Sequence, residues 1–208
     1  ENVDLLKLNT GAMGDSDIYS YINRLEEKLN LQTKKLSVVS SGITTSSSYN
    51  QIGSDILGES SGDKFGNKVA LNEDGTKMAC ASIHNDGNGN DSGHVRVYQL
   101  YQTATSATWS QIGGDIDGSF AGDNSGSSIA LSSDGTIVAV GSTGTDQNGT
   151  NSGSVRIFEY NNTSGWVQRG TDIDGETARD FSGFSLDISG DGNIVVIGAI
   201  YNSDSGDD

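Results

Sequence analysis

An internal repeat constrains the fold of this chain more than any other feature. The run FGNKVALNEDGTKMACASIHNDGNGNDSGHVRVYQL, at residues 65–100, recurs 60 residues later at 125–160 as SGSSIALSSDGTIVAVGSTGTDQNGTNSGSVRIFEY. A third copy, FSGFSLDISGDGNIVVIGAIYNSDSG at residues 181–206, follows 57 residues after the second. Such a period is typical of proteins in which one supersecondary unit is stacked several times to bury a shared core.

Residue patterning predicts that the repeated unit is made of β-strands. Only 33% of the residues are hydrophobic and proline is absent, but the apolar residues alternate with polar ones in short β-branched runs. Each unit is predicted to contain four strands, the first of which is opened by an aromatic residue, Tyr49, Trp109 or Trp166.

We therefore expect an all-β fold of tandem four-stranded propeller-type blades. Propellers typically have about four to eight blades, so the blades of this chain are expected to be an incomplete set. The repeats are assigned to residues 49–108, 109–165 and 166–208, the last one truncated.

The residues before the repeats predict a different organisation. A segment at 1–14 is followed by a short coiled-coil helix at 15–36 and by a Ser/Thr-rich linker at 37–48. Side chains spaced alternately by four and three residues would form the seam of the helix: Ile18, Ile22, Leu25, Leu29, Gln32 and Leu36. The seam would be buried either by self-association into a dimer or trimer, which the strict spacing favours, or against the chain's own β domain.

The net charge restricts the partners of the chain. The formal net charge is −16, and a surface this acidic repels phosphate backbones and anionic lipids. We therefore expect no nucleic-acid partner, whereas calcium and basic partners are favoured. The sequence has no run of 18 apolar residues, so no membrane insertion is expected either.

Motifs in the second and third strands carry a resemblance to a known family. They are FG at 65–66 or SG at 125–126 and 182–183, then VALNEDG, IALSSDG or LDISGDG, then GS at 141–142 or GA at 198–199. In this order they resemble the FG-GAP repeats of integrin α-subunit propellers over residues 49–208, although the proline of the family's GAP is absent. A weaker similarity to WD-repeat propellers rests on LSSDGTIVAVGS and GSVRIFEY, without the Trp-Asp pair. Both resemblances imply a propeller-type interaction scaffold that is generally non-enzymatic.

The third repeat contains a candidate calcium loop. The family's calcium loop places oxygen-bearing side chains at alternate positions around a glycine bend, which suits a hard cation. The candidate ligands are Asp187, Ser189, Asp191 and Asn193, with Gly192 at the bend. The other repeats lack the leading acid, having Leu71 and Leu131 there. The alternative interpretation is that EDG, SDG and GDG are hairpin turns, in which Asp-Gly supplies the positive φ angles.

Two polar loops, NDGNGNDSG at 85–93 and TDQNGTNSG at 145–153, occupy equivalent places in the first two repeats. Binding residues often lie on loops held by a rigid scaffold, so these loops are candidate partner-binding segments. The alternative interpretation is a flexible exposed loop without a ligand. The candidate residues are Asp86, Asn88, Asn90, Asp146, Asn148 and Asn151.

The residue pattern does not indicate a catalytic site. The DIDG carboxylates and the GD or RD that follows recur at the same phase in the repeats, which indicates a structural turn rather than an acid–base pair. His84 and His94, the two histidines, are predicted to be solvated loop residues without partners for a triad or a zinc site. Cys80 corresponds to Val140 of the second repeat and is predicted to be a buried core thiol.

Together these features predict a non-enzymatic structural or adhesion protein of an exterior surface, either a virion fibre or spike or a cell-surface component. The helix would gather chains, and the β repeats would present loops to other surface or capsid proteins or to glycans. The alternatives are a calcium-dependent integrin-like binding module and a fragment of a propeller-hosted hydrolase. A histidine or carboxylate cluster that breaks the repeat symmetry would favour the hydrolase, and the sequence is not expected to contain one.

Overall fold

The computed structural model describes residues 50–202, and those from Gln51 onward belong to one compact unit. The described residues form twelve strands in three antiparallel sheets and no helix, which confirms the all-β prediction for this part of the chain. The segments 1–14, 15–36 and 37–48, with the predicted coiled-coil seam, lie outside the described residues. The described part contains no helix long and apolar enough to cross a membrane.

The first sheet has the strand order β1-β2-β3-β4, and a short fifth strand pairs with the start of β3. A register shift between Phe65 and Lys68 marks a bulge where β1 meets β2. Its strands are β1 (Phe65–Leu71), β2 (Lys77–Ser82), β3 (His94–Gln102), β4 (Ala107–Gln111) and β5 (Ile116–Asp117).

The second sheet repeats this arrangement, and the third has two strands within the described residues. In the second sheet β6, β7 and β8 are neighbours, and both β9 and β10 pair with β8. Its strands are β6 (Ser125–Leu131), β7 (Ile137–Ser142), β8 (Ser154–Asn161), β9 (Gly165–Gln168) and β10 (Ile173–Asp174). The third sheet pairs β11 (Ser185–Ile188) with β12 (Val195–Gly198).

The aromatic strand that was predicted to open each repeat instead completes the preceding sheet. Trp109 in β4 lies opposite Leu100, and Trp166 in β9 lies opposite Tyr160. The corresponding run at 50–57 has no preceding sheet within the described residues and forms no strand there. Each complete sheet therefore crosses a boundary between two sequence repeats.

The sheets pack face to face around two apolar clusters. On β7, alternate side chains point to opposite faces, so Val138 and Val140 face the first sheet, while Ile137 and Ala139 face the third. Val138 and Val140 pack against residues of the first sheet, Ala79, Ala81, Val95 and Val97. Ile137 and Ala139 pack against residues of the third sheet, Ile188, Leu186 and Val195. The second sheet is therefore covered on both faces.

The prediction that Cys80 is a core residue is confirmed. Cys80 lies on β2 opposite Val69 and is 5% exposed. Burial raises the pKa of its thiol, because the thiolate is poorly solvated there. The residue is a small core side chain rather than a reactive nucleophile.

Candidate functional site

The first candidate loop connects β2 to β3 and is held by its own side chains. The Asp86 carboxylate accepts a hydrogen bond from the backbone N–H of Asp91 at 2.9 Å, and the Asn90 side-chain amide lies 3.5 Å from the same oxygen. The Asn88 side-chain amide donates to the carbonyl of Gly118, in the next segment of the fold, at 2.8 Å. Asp86, Asn88 and Asn90 are nevertheless exposed. The loop is a fixed polar surface rather than an unbonded linker.

The second candidate loop connects β7 to β8 and repeats the same bonds. Asp146 accepts from the backbone N–H of Asn151 at 2.7 Å, and the Asn148 side-chain amide donates to the carbonyl of Gly175 at 2.8 Å. Asp146 and Asn148 are exposed, and Asn151 is half-buried with a φ of 56°. The structure thus places the six predicted loop residues in two equivalent loops, and partner binding by them stays a prediction.

Both loops lie on one edge of the sheets, because the residues 122–124 join them. The backbone N–H of Gly122 donates to the carbonyl of Asn90 at 2.9 Å, and the N–H of Gly144 donates to the carbonyl of Asp123 at 3.0 Å. The Asp123 carboxylate in turn accepts from the backbone N–H groups of Ser119 and Phe120. The recurring GD motif therefore makes a structural turn, as predicted.

Three of the four candidate calcium ligands, Ser189, Asp191 and Asn193, lie in a tight turn between β11 and β12. The Asp191 carboxylate accepts from the Ser189 hydroxyl at 2.6 Å, from the Asn193 backbone at 3.1 Å and from the Asn193 side chain at 3.0 Å. Gly192 has a φ of 70°, which favours glycine. The hydrogen bonds from Ser189 and Asn193 lower the pKa of Asp191 to about 2. The carboxylate is thus an ionised acceptor within the turn.

Asp187, the fourth candidate calcium ligand, makes its hydrogen bond outside this turn. Asp187 accepts from the backbone N–H of Ile188 at 2.9 Å. In the first two repeats, Asp74 and Asp134 accept from the backbone N–H of the threonine two residues later, so the three repeats share this hairpin turn. The hairpin accounts for the Asp-Gly pattern, and calcium binding at the third turn stays a prediction.

The prediction that His94 is a solvated loop residue is wrong. Its side chain is 1% exposed, and Nδ1 lies 3.6 Å from Oδ2 of Asp115. The reason is that β5 pairs with the start of β3 and places Asp117 opposite His94. Neither ring nitrogen of His94 has a hydrogen-bond partner. Burial lowers the pKa of His94, so the ring is neutral near pH 7.

His94 belongs to a cluster with two carboxylates. One ligand-type atom from each of Glu59, His94 and Asp115 lies within 4.8 Å of the others. Arg96 bridges the carboxylates, donating to the two Asp115 oxygens at 2.8 and 2.7 Å and also to Glu59. These bonds lower the pKa of both carboxyl groups and raise that of Arg96.

This cluster breaks the repeat symmetry. Ser154 stands in the place of His94 in the second sheet. Arg156, the counterpart of Arg96, is buried and donates to the carbonyl of Asp117 at 2.7 Å instead of bridging two carboxylates. The histidine in a serine position was the signal visible in the sequence. The contact between Glu59 and Arg96 could not be predicted from the sequence, because Glu59 lies 37 residues before Arg96.

A cavity of about 230 Å³ lies between the second and third sheets. Its two polar side chains are bonded to each other, since Arg169 donates to Oδ1 of Asn193 at 2.9 Å. The cavity shares no residue with the two loops or the histidine cluster. It is lined by Ile157, Arg169, Ile173, Ile188, Gly192, Asn193 and Val195.

In a comparison with known protein families, residues 116–158 match the sequence model of the FG-GAP repeat family. The matched range begins at β5, contains β6 and β7 and ends within β8, so it includes the second polar loop. No curated protein matches the chain. The match confirms, over residues 116–158, the resemblance to FG-GAP repeats that the SG, IALSSDG and GS motifs carry.

Proposed function

We propose that this chain is a non-enzymatic binding or structural protein of an exterior surface, in which FG-GAP-type sheets present two polar loops to a partner. The observation that carries the proposal is the FG-GAP match at 116–158, which includes the second loop. The first loop repeats its geometry on the same edge. FG-GAP repeats are typical of extracellular or surface domains, which supports a location on a cell surface or a virion.

The chemistry of the loops favours a partner rich in hydrogen-bond donors. Asp86, Asn88, Asp146 and Asn148 expose carboxylate and amide groups, and the whole chain carries a net charge of −16. Sugar hydroxyls and the basic side chains of a protein surface both donate to such groups. We propose a glycan as the first partner class to test, and a surface or capsid protein as the second.

The loop proposal is tested on the full chain with an array of immobilised glycans. Asn90 and Gln147 are exposed loop residues, so the N90R/Q147R variant should lose the glycans that the unmodified chain retains. Thr105 is exposed in the β3–β4 hairpin, at the opposite end of β3, so T105R is a matched control that should retain them. Equal loss in T105R, or no glycan retained by the unmodified chain, would contradict a glycan-binding role for this edge.

The proposed stalk is tested separately. We propose that the seam at residues 18–36 gathers two or three chains, and light scattering of the full chain should then give the mass of a dimer or trimer. Replacing Leu25 and Leu29 by Asp places charges in the seam and should reduce the mass to that of a monomer. A monomeric unmodified chain would exclude the stalk and leave the loop proposal untouched.

The hydrolase alternative gains one observation, because the cluster at Glu59, His94 and Asp115 does break the repeat symmetry. The arrangement is nevertheless unsuited to a substrate. His94 is 1% exposed, and Arg96 engages both carboxylates. A general base must reach the proton that it abstracts, and this histidine does not reach the surface. We therefore keep the binding function as the proposal.

A further inference from the structure

The histidine cluster lacks a partner for its most buried polar group. Nearly all buried side-chain nitrogens in proteins are hydrogen-bonded, so an imidazole with two unpartnered nitrogens needs an explanation. In His94 both nitrogens lack a partner, and Nδ1 is directed at Asp115, 3.6 Å away. Two carboxylates and a neutral imidazole converge at this point.

We propose that Glu59, His94 and Asp115 form a site for a divalent transition-metal ion of the zinc type. Imidazole nitrogen and carboxylate oxygen are ligands that zinc accepts at about 2.0–2.2 Å. Ligand atoms at the corners of such a tetrahedron are about 3.4 Å apart, and the measured separation between His94 and Asp115 is 3.6 Å.

Glu59 supplies the adjustable ligand and the entrance to the site. The three ligand atoms lie within 4.8 Å of one another, so closing on a metal requires only a small movement. The side chain of Glu59 is 48% exposed, whereas that of His94 is 1% exposed. A metal ion therefore enters from the Glu59 side, where a water molecule completes the coordination.

Arg96 holds the site in the metal-free chain. Its guanidinium bridges Glu59 and Asp115, which places a positive charge where the metal would bind. A divalent cation and a guanidinium repel each other, so the metal binds only when Arg96 moves away from the two carboxylates. The proposal therefore predicts opposite effects for substitutions of His94 and Arg96.

The first experiment titrates the full chain with zinc chloride in a calorimeter. His94→Ser introduces the residue that the second sheet has at position 154, and His84→Ser is the matched control at the other histidine. We expect the unmodified chain and H84S to bind one zinc ion with equal affinity, and H94S to bind it at least about tenfold more weakly. Absence of zinc binding to the unmodified chain, or equal affinity in H94S, would overturn the site.

The second experiment uses the competing cation. Arg96→Gln removes the charge at the site, so R96Q should bind zinc at least about tenfold more tightly than the unmodified chain. If R96Q is unfolded without metal, zinc should restore a cooperative thermal transition, because a metal that binds only the folded state stabilises it. Affinity in R96Q no higher than in the unmodified chain, or no recovery of an unfolded R96Q by zinc, would contradict the exchange between Arg96 and the metal.

Discussion

Equivalent positions are less exposed in the second sheet than in, or directly beside, the sheets that flank it. Ile137, at the start of β7, is 6% exposed, whereas Ile194, its counterpart 57 residues later, is 69% exposed. Leu131 in β6 is half-buried, and Leu71, its counterpart in β1, is 63% exposed. Each pair has the same residue type and the same place in the repeat. The comparison teaches that a neighbouring sheet, rather than the repeat itself, determines how deeply a position is buried.

The largest expected effect comes from truncating one isoleucine of such a pair. Ile137→Ala should lower the free energy of unfolding by about 2–4 kcal/mol, because it leaves a cavity between the second and third sheets. Ile194→Ala should cost less than about 0.5 kcal/mol, since an exposed side chain leaves no cavity. Urea denaturation of both variants measures the difference, and similar losses would show that Ile194 is covered in solution.

The buried aspartates that precede β1 and β6 provide a second comparison. Asp123 accepts from two backbone N–H groups, whereas its counterpart Asp63 accepts from the side-chain amide of Asn85. Asp123→Ala should lower the free energy of unfolding by about 1–3 kcal/mol, because two backbone donors lose their partner. Asp63→Ala should cost less, since the Asn85 side chain also donates to Glu59. Thermal unfolding of the two variants tests the order, and a larger loss in D63A would reverse it.

The first and second sheets should also differ in their response to pH. Burial holds the pKa of His94 below its ordinary value of 6.5. The positive charge of Arg96 also lowers this pKa, whereas the negative charges of Asp115 and Glu59 raise it but do not outweigh burial. As pH falls below 6.5, the unfolded chain takes up a proton that the folded chain does not, so folding loses stability.

His94→Ser removes this titration, because serine, the residue of the second sheet, carries no such proton. Chemical denaturation between about pH 7 and 5 should therefore show a steeper loss of stability in the unmodified chain than in H94S. Parallel curves would indicate that His94 is protonated in the folded state.

The smallest expected effect is a change in the pKa of one carboxyl group in the turn between β11 and β12. Hydrogen bonds from Ser189 and Asn193 hold the pKa of Asp191 at about 2, against an ordinary value of 3.8. The stabilisation is present above 3.8 and is lost as pH falls through about 2. Carbon-13 NMR titration of the carboxyl group should give this pKa, and Ser189→Ala should raise it. No increase in S189A would exclude the serine hydroxyl as its main cause.

The local features of the fold could be predicted from the sequence. The repeat, the alternation in β2 and β7 and the Asp-Gly turns depend on neighbouring residues, and Cys80 was placed in the core by its match to Val140. The partner of the aromatic strand could not be predicted in this way. Trp109 pairs with Leu100, so the structural unit is the sheet and not the sequence repeat.

The same contrast between local features and long-range contacts holds for the polar loops and the histidine cluster. The loops at 85–93 and 145–153 were visible because their polar residues are contiguous, so the candidate partner surface follows from the sequence. The burial of His94 depends on β5, which pairs with the start of β3, and on Glu59, which reaches Arg96 from 37 residues away. Such contacts leave no periodic pattern in one sequence.

Amide hydrogen exchange of the full chain tests the comparison between the sheets most directly. We predict that the amides of β7, in the sheet covered on both faces, exchange most slowly, that those of β2 are intermediate and that those of β12 exchange fastest. This order would show that stacking between the sheets stabilises the strands. Equal protection of β7 and β12 would contradict the account, because burial by a neighbouring sheet would then not determine local stability.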